Sequence, residues 1–224
     1  MADDNQLLRQ YDALSWLSTR LLPNVQFFLA LWESILSIVT KLRKGAIFEV
    51  LDYESTLEIL NKTGTKASFT KRKKVRYLQD DIIAFQDYAW GDGEILLNYR
   101  TNRGVPVDRY RSGFKTYVLL SLREVRNRSD IDEFHIQWDI RQGFLTEDGY
   151  WSTDVSQPSR QIKINVIFPE SRPPLRLSLE ETNRRKTHLL GRDAQQQLPD
   201  GRWLVSWETN QPKLYEVYVL RWIW

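Results

Sequence analysis

The densest positive charge in the chain is Lys71-Arg72-Lys73-Lys74, with Arg76 close behind. On an extended strand alternate residues share a face. Arg72, Lys74 and Arg76 then form one cationic ladder, while Phe69, Val75 and Tyr77 point the other way. Such a ladder suits contacts to phosphate, whether of a nucleic acid or of a smaller ligand. A plainer reading competes. If the turn Asn61-Lys-Thr-Gly64 closes a hairpin with Leu57 opposite Phe69, Glu54 falls opposite Arg72 and cross-strand ion pairs explain part of the pattern. Lysines on a strand also protect a sheet edge from further pairing.

A second basic cluster runs from Arg100 to Arg111, and Gly104 and Pro106 mark it as a loop. Arg100, Arg103, Arg109 and Arg111, with Tyr110 and Tyr99 beside them, carry the groups needed to hold a phosphate-bearing ligand. Guanidinium forks bridge phosphate oxygens and stack on rings. The competing reading is a solvated loop whose arginines pair with Asp108 and other nearby acids.

Catalytic chemistry finds less support. The two histidines, His135 and His188, lie far apart and lack a second ligand at metal-binding spacing. Cysteine is absent, which removes disulfides, thiolate metal sites and thiol nucleophiles together. Asp80-Asp81 and Glu147-Asp148 are the residue types of glycoside hydrolysis, but nothing fixes their separation. Gly91-Asp92-Gly93 is too short for a phosphate cradle and precedes no helix. No serine sits in a nucleophile elbow. Phe144, Tyr150 and Trp151 surround turns, where they could stack on a sugar or a base, or fold back onto the protein. The sequence therefore leans away from an enzyme and implies no cofactor and no metal.

The elements that must position these residues are mostly strands. The chain has 224 residues, 42% hydrophobic and 27% charged, enough apolar material for a sizeable core. A formal charge of +3 is too small to argue by itself for nucleic acid. From Ile47 onward the hydrophobic period is two. Phe134, Ile136, Trp138 and Ile140 alternate with polar residues, as do Ile162, Ile164, Val166 and Phe168, then Leu175, Leu177 and Leu179, then Trp203, Val205 and Trp207. The last segment, ending at Trp224, is apolar on both faces and so predicts a central or covered strand. No αβ alternation is present. The expectation is a mainly β fold over residues 45–224: an antiparallel β-sandwich, or a barrel-like variant, of about nine or ten strands.

Residues 1–44 read as a helical segment, two helices or one kinked at Pro23. Over residues 24–42 the polar side is narrow, and Phe28, Trp32, Ile35 and Val39 mark a broad apolar face. Lys41, Arg43 and Lys44 follow. The run is short for a bilayer span and holds Glu33 near its middle. Two destinations remain: a protein surface, including self-association, or an anionic membrane interface. The acidic start, Met1-Ala-Asp-Asp, does not resemble a secretory signal. The expected location is cytoplasmic, with the inner face of a membrane as a peripheral site. Together these features predict a non-enzymatic ligand- or partner-binding β module, attached through its apolar helix. The alternative is a nucleic-acid or phosphate-ligand binder using strand 71–76 and loop 100–111.

Overall fold

Gly64 sets the first register. Its backbone has φ +67, and a Cβ there would lie 1.7 Å from the Phe144 carbonyl oxygen, so only glycine fits the turn. The hairpin it closes joins Phe48–Ile59 (β1) to Lys66–Tyr77 (β2). Leu57 stands opposite Phe69 and Glu54 opposite Arg72, as the turn predicts. The computed structural model describes residues 45–224, and Ala46–Trp224 form one compact unit. The helical segment predicted for residues 1–44, including Phe28, Trp32, Ile35 and Val39, lies outside the described residues.

Twelve further strands follow: Ile82–Ala89 (β3), Glu94–Thr101 (β4), Val105–Ser112 (β5), Lys115–Arg126 (β6), Ile131–Arg141 (β7), Asp148–Asp154 (β8), Ile162–Phe168 (β9), Arg176–Glu181 (β10), Lys186–Leu189 (β11), Gln195–Gln197 (β12), Trp203–Thr209 (β13) and Val217–Ile223 (β14). A seven-stranded sheet runs β12-β13-β9-β1-β2-β7-β4, a four-stranded sheet β11-β10-β14-β8, and a three-stranded sheet β3-β6-β5. The fold is mainly β. Its pairs are antiparallel except β1 with β9, which run parallel. Among the described residues the sole helical turn is the short 3-10 segment Arg192–Ala194. No helix there is long and apolar enough to cross a membrane.

The strand count exceeds the nine or ten predicted, and the additions have a physical reason. Strand β5 is exposed along nearly its whole length, so no apolar alternation announces it. The predicted Arg-rich loop is therefore two strands, β4 and β5, joined by a tight turn at 102–104. Strand β8 carries Gly149, and its apolar positions are only partly buried. In contrast Phe134, Ile136, Trp138 and Ile140 are all buried, as are Ile162, Ile164, Val166 and Phe168. Leu175, expected to point inward with Leu177 and Leu179, is exposed. The final strand is central, with β10 on one side and β8 on the other.

Strand β14 carries Trp222, which is buried and packs edge-on against Phe168 at 5.2 Å. Gly149 on β8 sits opposite it in register. A Cβ on Gly149 would fall 2.5 Å from the indole Cε2 of Trp222. Gly149→Ala is therefore expected to destabilise the unit by about 1–3 kcal/mol, the range for overpacking a rigid core. Denaturant unfolding of the variant checks this; an unchanged midpoint would show that Trp222 moves freely.

Candidate functional site

The alternation that sends Arg72, Lys74 and Arg76 outward has a second consequence. Ala67, Phe69, Val75 and Tyr77 occupy the inner face of β2, and the two positions between Phe69 and Val75 on that face are Lys71 and Lys73. Lys71 is 8% exposed and forms an ion pair with Asp87, which is 4% exposed. The Tyr99 hydroxyl donates to the other oxygen of Asp87 at 3.0 Å. The Lys71 ammonium also lies 5.1 Å from the Trp138 ring centroid, a cation–π distance. Trp138 in turn packs against Phe69 at 4.2 Å and stacks on Tyr99 at 6.2 Å. Asp87 comes from the three-stranded sheet, whereas Lys71, Tyr99 and Trp138 come from the seven-stranded one. The pair thus ties two sheets together in the interior.

Lys73 differs from its neighbour. Its ammonium lies 5.1 Å from the Phe48 centroid and 5.4 Å from the Phe85 centroid. Among the described residues no carboxylate pairs with it. Burial, reinforced by the nearby Lys71 charge, pushes its pKa down to about 8, against weaker opposing attraction from Asp87 and Asp154. Burial also drives the Tyr53 phenol well above its ordinary range.

These groups line a cavity of about 120 Å³. All three sheets contribute: Tyr53, Phe69, Lys71, Lys73 and Trp138 from one, Asp87 and Tyr88 from the second, Trp151 and Thr153 from the third. The lining continues to Gly91, Asp92 and Asp148, which are exposed, so the cavity reaches the surface. Near that side Tyr88 donates to Asp154 Oδ1 at 2.7 Å, and Lys115 reaches Asp154 Oδ2 at 2.6 Å. Lys115 also lies over the rings of Tyr88 and Trp90 at 4.3 and 4.8 Å. Burial first, and then Asp154, pushes the Tyr88 phenol up.

Four buried polar atoms on this lining have no hydrogen-bond partner: Trp138 Nε1, Trp151 Nε1, Thr153 Oγ1 and Gln157 Oε1. The Tyr53 hydroxyl lies close enough to Thr153 to influence its own titration, without reaching hydrogen-bond geometry. Buried polar groups are nearly always paired, and an unpaired one costs about 1–3 kcal/mol.

The predicted basic residues are arranged differently. Arg72 pairs with Asp52 at 2.6 Å and approaches Glu54 at 3.5 Å. Arg76 faces Glu49 at 3.7 Å. Lys74 lies in register between Asp52 and Glu133. The outer ladder is thus largely matched by acids. Arg72 and Arg100 line one shallow depression across β7 with His135, and Glu54 shares it. Arg103 is committed to the buried Asp132 at 2.7 Å, which Arg126 and the Tyr77 hydroxyl also hold. Arg109 donates to the Leu96 carbonyl and Arg111 to that of Gly113. Tyr110 stacks on Tyr117 at 5.2 Å and accepts from Gln86. The segment that carries the four arginines and Tyr110 is thus two strands rather than a loop, and β4 and β5 belong to separate sheets. Among the described residues no group of three or more His, Cys, Asp or Glu is placed to hold a metal ion.

Basic residues in a run invite a surface reading, yet period two assigns Lys71 and Lys73 to the face of Phe69 and Val75. Asp87 gives the same signal, since it alternates with the buried Phe85 and Ala89 on β3.

No family model matches the chain, and no curated protein matches it. Among solved structures it is similar to an M1 zinc metallopeptidase from Deinococcus radiodurans, at 11% identity and a TM-score of 0.47, covering 79% of this chain and 42% of that one. It is also similar to a suspected protease from Parabacteroides distasonis, at 10% identity and a TM-score of 0.45, covering 80% and 40%. The chain thus spans less than half the length of these proteins.

Proposed function

We propose that the chain is a non-enzymatic ligand-binding module, a sandwich-like β shell whose interior cavity holds one small aromatic compound. The observation that carries this reading is a cavity that reaches the surface and is walled by aromatic rings from two sheets. Phe69, Trp138 and Trp151 supply flat apolar walls, with Phe69 and Trp151 rings 4.6 Å apart. The volume of about 120 Å³ is close to the ~150 Å³ cavity that holds a single benzene ring. The Lys71–Asp87 and Lys115–Asp154 ion pairs beside it support the shape of the site. In this reading the apolar residues Phe28, Trp32, Ile35 and Val39 serve assembly with a protein partner or attachment to an anionic membrane surface, as their sequence pattern suggests.

The test is titration of the full chain with benzamide, nicotinamide and benzoate, followed by tryptophan fluorescence and thermal unfolding. Saturable quenching by the amides, with a midpoint rising as concentration increases, is the expected result. If none of the three ligands changes fluorescence or melting up to millimolar concentration, the reading is wrong.

A further inference from the structure

The geometry points to Lys73 as a covalent capture site: we propose that its amine condenses with a small aldehyde or ketone held in the interior cavity. This rests on the cavity reading and narrows the ligand to a carbonyl compound. Lys73 is on the cavity lining with Trp138 and Trp151, so a carbonyl compound held there shares the cavity with the Lys73 side chain. Its nitrogen lies over Phe48 and Phe85, and no carboxylate among the described residues holds it as a cation. Lys71, two residues away on the same face, is the contrast. Its ammonium is paired with Asp87 and lies on the same face as Lys73. A desolvated lysine next to a second cationic group is an arrangement that favours the free amine. The depressed pKa, about 8, agrees with this geometry and leaves about a tenth of Lys73 as free amine at neutral pH.

The chemistry balances without any further reagent. The amine lone pair forms a bond to the carbonyl carbon, and the π pair moves to oxygen. Two protons pass from nitrogen to that oxygen, which leaves as water as the carbon–nitrogen double bond closes. The product is an imine, reversible by the same water.

Reductive trapping tests it on the unaltered full chain. Benzaldehyde at limiting concentration and sodium cyanoborohydride at pH 7.5 would be followed by peptide mass mapping. The expected adduct falls on Lys73, at ten-fold or more the yield of the average surface lysine. Excess benzamide should suppress it. Lys73→Arg should abolish the preferred adduct, whereas Lys186→Arg, on an exposed strand, should not. Labelling spread evenly over surface lysines, with Lys73 no better than the rest, overturns the proposal. If benzamide binds yet Lys73 is not trapped, covalent capture fails and the cavity reading stands. If benzamide neither binds nor protects, both fail.

Discussion

Asp87→Ala is expected to lower the stability of the β unit by about 3–5 kcal/mol, the cost of leaving a buried charge without its partner. Lys71 and Asp87 are both under one-tenth exposed, so water cannot take over the pairing. The Tyr99 hydroxyl loses its acceptor at the same time. For a unit of this size the loss corresponds to a melting temperature about 6–20 °C lower. Urea unfolding, monitored by tryptophan fluorescence and by circular dichroism, would measure it. A change below about 1 kcal/mol would mean that Lys71 escapes to solvent and that the two sheets do not depend on the pair.

The same position separates a pairing requirement from a net gain. Burying two charges costs roughly what their attraction returns, so replacing both with apolar groups is often neutral or better. Lys71→Met combined with Asp87→Leu should recover most of the stability lost in Asp87→Ala. The cavity, however, loses its fixed cation and the carboxylate that orients Tyr99. Restored stability with altered benzamide binding would therefore distinguish the role of the pair in the site from its role in holding the sheets.

Much of the fold was legible because apolar alternation is strong where a strand is buried on one face. Residues 134–140 and 162–168 announce themselves in this way, and the Asn61–Gly64 turn even fixes which residues stand opposite each other. What escaped notice lacks that pattern. Strand β5 is solvated on both faces, and β8 trades side chains for a glycine that makes room for Trp222. The candidate site was legible in part. Its aromatic walls include Trp151, whose sequence context suits stacking, but on a strand rather than a loop tip. The arginines from 100 to 111 suggested convergence because they are close in sequence, yet Arg109 and Arg111 reach separate carbonyls and Arg103 pairs with Asp132. Which carboxylate an inward lysine meets depends on sheet packing, and Asp87 is 16 residues from Lys71, on another sheet.

Lys73→Met is expected to make the chain more stable at neutral pH, and the gain should vanish in alkali. The ordinary lysine pKa of 10.5 falls to about 8 in the folded protein. Below pH 8 both folded and unfolded chains carry the proton, and the folded chain bears the full cost of a poorly solvated ammonium. Between pH 8 and 10.5 the unfolded chain binds more protons than the folded one, so wild-type stability rises with pH. At about 1.4 kcal/mol per unit the shift amounts to roughly 3 kcal/mol. Four buried phenols, Tyr53, Tyr77, Tyr88 and Tyr99, act in the opposite sense: their pKa values are raised, so the stability they contribute is lost above about pH 10. Both chains share that loss, and the difference between them isolates Lys73. The variant should lead by roughly 3 kcal/mol at pH 7, with the lead closing as pH approaches 10.5. A constant difference across this range, or a less stable variant at pH 7, would show that Lys73 is solvated as a cation and that the free amine needed for carbonyl capture is not favoured there.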